Sequence, residues 1–197
     1  MKIDIPFYSQ DWNLDDWENL GYKSKEEAAY WQESCCGILC MKMILDRFQL
    51  RKNEDLLPPV KELIDQGVKR GAYHAITGWS RSGLAAFIKS FNYHAEAKNL
   101  SVHDIKEALD RGQFVIASVK WGFQGHRNLK ERIQFWRKHG GHLIVVLGYE
   151  ERKGDLTGFY VHHTSEIEEI EWPDAFIPLA KFSKNFARRG IVVGEEV

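Results

Sequence analysis

Apolar residues follow two different rhythms along this chain, and the rhythm changes near Gly112. Before that point they recur at the three- and four-residue spacing of helices that bury one face. The densest run is residues 36–48, where Ile38, Leu39, Met41, Met43, Ile44, Leu45 and Phe48 leave only a narrow polar stripe of Lys42, Asp46 and Gln49. This predicts a helix buried on most sides. Ser24-Lys25-Glu26-Glu27 has the form of a capping box and predicts a short helix through about Trp31. Amphipathic helices are expected near residues 59–66, 83–91 and 101–110, the last opened by Ser101 and stopped by Gly112. Beyond Gly112, β-branched or aromatic runs bounded by glycine predict strands at residues 113–120, 141–149, 158–163 and 190–194. Residues 2–10 alternate weakly and are expected to add a short strand. Helical signals precede strand signals, so the expected class is α+β with a mostly antiparallel sheet.

At 197 residues the chain fits one domain spanning 1–197, and its seven Trp and eleven Phe supply a full core without any second unit. The net charge of −1 with no block of like charges lacks the footprint of a nucleic-acid binder or a polybasic membrane anchor. The N-terminus, MKIDIPFYSQ, lacks the apolar core of a signal peptide, and no apolar run approaches the roughly 18 residues a membrane span needs, so the chain reads as cytoplasmic. Cys35, Cys36 and Cys40 crowd into six positions, which is unlike a secreted disulfide framework and predicts free thiols.

A nucleophilic cysteine needs its thiolate, and a helix N-terminus favours one by turning unpaired N–H groups and the positive dipole end toward the sulfur. Cys36 stands where the buried helix is expected to begin. The residues around it leave two readings open, a nucleophile or a small buried hydrophobe. Cys40, one turn on, fits the second. A thiol peptidase also needs an imidazole to take the thiol proton and later protonate the leaving amine. His74, His94, His103, His126 and His139 sit in polar or loop contexts, whereas Gly140-Gly141 deliver His142 to the head of the apolar run 143–149. That places His142 at the rim of a core strand, as a base facing a cleft or as a capping residue bonded to a loop.

Two segments carry a resemblance. Ser34-Cys35-Cys36-Gly37-Ile38-Leu39-Cys40-Met41-Lys42-Met43-Ile44-Leu45 and Gly140-Gly141-His142-Leu143-Ile144-Val145-Val146-Leu147-Gly148-Tyr149 resemble the two signature blocks of the papain-like, bacteriocin-leader-processing (double-glycine) cysteine peptidases. The opening Ile5-Pro6-Phe7-Tyr8-Ser9-Gln10 resembles the block that carries that family's oxyanion-hole glutamine. The resemblance implies a papain-like fold, a helical half whose central helix packs on the sheet. It implies Cys36 as nucleophile, His142 as base and Gln10 as oxyanion donor, acting on a peptide or protein substrate with no cofactor and no metal. Gln10 lies 26 positions before Cys36, which implies an insertion, and Gln32, four positions away, is the alternative donor.

The third catalytic member departs from the pattern. The family usually carries Asp-Pro after the second strand, and the corresponding pair here is His163-Thr164. A neutral His163 could accept the His142 N–H but offers no fixed charge to stabilise the imidazolium; Glu166 in the following loop is a second candidate. The rival readings are a module that holds a peptide tail without cleaving it, and a metal site built from the cysteines with His142, His162 and His163. The spacing of the cysteines does not match the paired ligands of structural zinc. Trp12, Trp17, Trp31, Trp121 and Trp136 flank the two blocks and are expected to pack the core or line the cleft.

Overall fold

The structure is a computed structural model and describes residues 1–120, 123, 141–165 and 171–196. Ser24 opens α1 (Lys25–Ser34) by accepting the Glu27 N–H. The Glu27 carboxylate takes the Lys23 N–H, so only half of the expected capping box forms. The helix ends where the next begins: α2 spans Cys36–Lys52, and Asn53 closes it in the left-handed region. Most of its residues, from Gly37 to Asp46, are buried, as the dense apolar run predicted. α3 (Val60–Lys69), α4 (Arg81–Lys89) and α5 (Val102–Asp110) follow. In α5 the Ser101 side chain accepts the Asp104 N–H while the Asp104 carboxylate accepts the Ser101 N–H. Between α3 and α4 lies a two-stranded ribbon, β1 (Tyr73–His74) and β2 (Gly78–Trp79).

The main sheet has six strands. They are β3 (Tyr93–Asn99), β4 (Phe114–Val119), β5 (His142–Arg152), β6 (Asp155–His163), β7 (Trp172–Pro178) and β8 (Phe186–Glu195). Their order is β3-β8-β4-β5-β6-β7, and every pairing among the described residues is antiparallel. A sixth helix, α6 (Leu179–Asn185), joins β7 to β8. The class is α+β, with the chain's last strand inserted between β3 and β4.

Alternation along the strands splits the core into two layers. On β5, Leu143, Val145 and Leu147 join the cluster that includes Ile38, Leu39 and Met43 of α2, while Ile144 and Val146 join the cluster that includes Ile105 of α5 and Phe182 of α6. The expected strand at residues 2–10 does not form. The segment makes one isolated bridge from Lys2 to Gly148, held by backbone hydrogen bonds, and beyond Ile3 its anchors involve side chains rather than a strand. Ile3 donates to the Leu147 carbonyl, and His162 Nε2 lies 3.2 Å from the Ile5 carbonyl. Pro6 has no N–H to give a ladder, which limits the segment to a strap across the sheet.

Candidate active site

Cys36 is the first residue of α2, and residue 35 contributes no side-chain cap. No side chain of residue 35 thus competes for the positive end of the helix, and Cys36, its first residue, is partly exposed, whereas Cys35 and Cys40 are fully buried. Burial pushes the Cys40 thiol well above its ordinary range, with the neighbouring thiols acting in the same direction. Cys40 is packing. Gly37 has a spatial reason: a methyl at that position would fall 2.9 Å from Cγ of Trp79. The Trp79 indole N–H donates to the Ser34 carbonyl at 2.8 Å, so this ring is pinned against the turn that presents Cys36. Trp31 and Tyr73 extend the aromatic wall. Trp79 is not among the tryptophans singled out from the sequence; Gly37 after Cys36 is the sequence signal that something large packs there.

His142 opens β5, the strand on which α2 packs. It shares strand parity with Ile144 and Val146, and its ring stacks on His163 with centroids 4.4 Å apart and planes 28° apart. The structure brings the rings of His142 and His163 together face to face. Stacked rings do not present an N–H in the plane of a lone pair, so this is not the hydrogen bond expected of an orienting group. His163 is buried against Phe123 and Trp172. Burial pushes the His142 pKa down to about 3, the proximity of His163 adds to this, and a hydrogen bond to the Thr164 backbone works in the opposite direction. A backbone bond that favours the protonated ring is one the ring donates. Nε2 is buried and has no hydrogen-bond partner, which leaves Nδ1 as the donor to Thr164. That tautomer leaves the lone pair on the enclosed Nε2 without a proton, the form a general base needs. Glu166 lies outside the described residues, as do Gly140, Trp121, Trp136, His126 and His139.

The N-terminal strap brings Gln10 to the end of α1. Its side chain is 1 % exposed, and Nε2 donates to the Gln32 carbonyl at 2.6 Å, four residues before Cys36. The amide has a second N–H to give, and Oε1 is buried with no partner. The Gln32 side chain turns the other way and donates to the Trp12 carbonyl. Trp12 stacks on Tyr22, and Trp31 is core.

His162 faces the α2 side of the sheet and is structural. Its Nδ1 accepts the Asp174 N–H at 3.0 Å, Nε2 contacts the Ile5 carbonyl, and Phe7 meets it edge-on. Both nitrogens are engaged, so a metal would have to displace two hydrogen bonds. His74, His94 and His103 are exposed, as expected. No group of three metal-ligating side chains converges among the described residues, and none of the described helices is long and apolar enough to cross a membrane.

Residues 2–190 match the model of the Peptidase C39-like family. The chain belongs to that family. Among solved structures, it is similar to a double glycine motif protease from an AMS/PCAT transporter, crystallised in complex with the leader peptide. The identity is 14%, the match covers 99% of this chain and 94% of that one, and the TM-score is 0.55. It is similar also to the peptidase domain of Streptococcus ComA, a bifunctional ABC transporter of a quorum-sensing pathway. There the identity is 10%, the coverage 82% and 92%, and the TM-score 0.55. At these identities the likeness is one of fold. No curated protein matches the chain.

Proposed function

We propose that this member of the C39-like family is a cysteine peptidase in which Cys36 is the nucleophile, His142 the base and Gln10 an oxyanion donor. The observation that carries the reading is a partly exposed thiol at the uncapped start of a buried helix, in a chain that matches the family over residues 2–190. In the reaction, His142 Nε2 takes the Cys36 proton as sulfur attacks the peptide carbonyl. The second Gln10 N–H and the Cys36 backbone N–H meet the oxyanion. The proton passes to the leaving amine, and water hydrolyses the thioester to regenerate the thiol. Because one structural neighbour is a double glycine motif protease holding a leader peptide, a double-glycine peptide is the first substrate to offer.

The test is cleavage of such a peptide together with iodoacetamide alkylation of Cys36 at pH about 6, where an ordinary thiol near 8.5 is almost all protonated. The parent chain is expected to cleave and to alkylate at Cys36 about 10-fold faster than the same thiol in the denatured chain. Cys36→Ser abolishes both, and His142→Ala slows both. No cleavage, with alkylation that neither the fold nor His142→Ala alters, would replace the peptidase with a module that holds a peptide tail uncut.

A further inference from the structure

Thr164 occupies the place where the family resemblance puts a proline. A proline there would offer a carbonyl and no hydroxyl. This threonine is fully buried, and its Oγ1 donates to the Tyr8 carbonyl at 3.1 Å, a hydrogen bond between residues 156 positions apart. Its backbone receives the hydrogen bond from the His142 ring. One residue at the end of β6 therefore holds both the base and the strap that carries Gln10.

The strap needs such a hold at that point. Toward its start it is tied to β5 through Ile3 and to His162 through Ile5. Gln10 is tied at its tip to the Gln32 carbonyl. Between them Tyr8 is clamped twice, its hydroxyl on Asp46 of α2 at 2.6 Å and its carbonyl on Thr164. Tyr8 stands two residues from Gln10, so its placement passes to the glutamine through a short extended segment.

We infer that Thr164 is a positioning residue of the peptidase site, which sets Gln10 and His142 in one frame through its side-chain hydroxyl and its backbone. The inference rests on the peptidase reading and deepens it. In this chain the position next to the missing carboxylate takes on the coupling of base to oxyanion donor. Loss of the hydroxyl frees the strap, and an oxyanion donor displaced by even about 1 Å loses much of its effect.

The probes are p-nitrophenyl acetate, whose acylation of Cys36 passes through an oxyanion, and iodoacetamide, whose displacement at carbon does not. Thr164→Val keeps the shape and removes the hydroxyl; it is expected to lower the acylation rate constant about 10-fold or more with little change in KM, and to lower the alkylation rate far less. Thr164→Ser restores acylation to within about 3-fold of the parent, which a loss of packing alone would not do. Circular dichroism melts of the three proteins identify any variant that has lost its fold. Equal acylation by parent and Thr164→Val overturns the inference alone, as does an equal fall in acylation and alkylation that Thr164→Ser does not rescue. Absence of acylation in the parent overturns the peptidase reading, and the inference with it.

Discussion

Gln10 and Gln32 make opposite predictions at the scale of single residues. Replacing Gln10 with Ala is expected to lower Cys36 acylation by p-nitrophenyl acetate by about 10²-fold, the usual worth of one oxyanion donor. Gln32→Ala should cost far less, because its side chain is turned to the Trp12 carbonyl; the reverse ranking would move the donor to Gln32. A second residue-scale prediction concerns His163. His163→Asp places a carboxylate beside His142, opposes the burial that keeps its pKa low, and should raise Cys36 alkylation at pH about 6. The gain stays well under the roughly 10⁴ that such a carboxylate is worth in an enzyme built around it, since residue 163 is buried among rings. Alkylation unchanged in both His163→Asp and His142→Ala means there is no pair to orient. Cys36, His142 and Gln10 were all legible as candidates, because each stands in a short block with its own pattern. Thr164 was not, since a buried threonine carries no local signal of what its hydroxyl touches.

Elements were legible where burial is periodic and illegible where it depends on neighbours. The run from Cys36 to Phe48 announced α2, yet its polar stripe is largely not a solvated face. Lys42 and Asp46 are buried and paired at 2.9 Å, Asp46 also accepts the Leu57 N–H, and Lys42 donates to the Leu57 carbonyl. Asp46→Ala leaves Lys42 uncompensated in the core and takes away the Tyr8 anchor. It should destabilise the fold by about 3–5 kcal/mol, measured by urea unfolding; a change under about 1 kcal/mol would mean the pair is solvated. The strand β3 went unread because Tyr93-His94-Ala95-Glu96-Ala97-Lys98-Asn99 has few strand-forming side chains, although Tyr93 and Ala95 alternate inward. Its register is imposed by β8, with which it pairs along its whole length. The strand β7 carries Pro173 and Pro178 at a sheet edge, where a missing N–H is tolerated. Conversely, the weak alternation of residues 2–10 predicts a strand that does not form, because only Lys2 bridges to the sheet and Pro6 has no N–H for a ladder.

On the scale of the whole molecule, the half-buried His142 and the buried His162 make stability depend on pH. His142 falls from the ordinary 6.5 to about 3, mainly through burial, and His162 is lowered for the same first reason. Between those values the unfolded chain takes up protons that the folded chain refuses, so the stabilising effect of a neutral ring is complete above about pH 6.5 and drains away as the pH falls. For His142 each pH unit below that removes up to about 1.4 kcal/mol, and His162 acts in the same direction. The melting temperature should therefore decline steadily from pH 6.5 to 4, and less steeply in His142→Gln; a melting temperature flat across that range would contradict a His142 held neutral by the fold. The sequence by itself determined which segments are buried, which helix begins with a thiol and which strand begins with an imidazole, because burial leaves a local period in side-chain polarity. Only the tertiary structure decided that the last strand enters the middle of the sheet, that His163 stacks on His142 instead of accepting its N–H, and that Thr164 ties the strap to the base. Those outcomes rest on hydrogen bonds and ring contacts between residues far apart in the chain, and no local period records them.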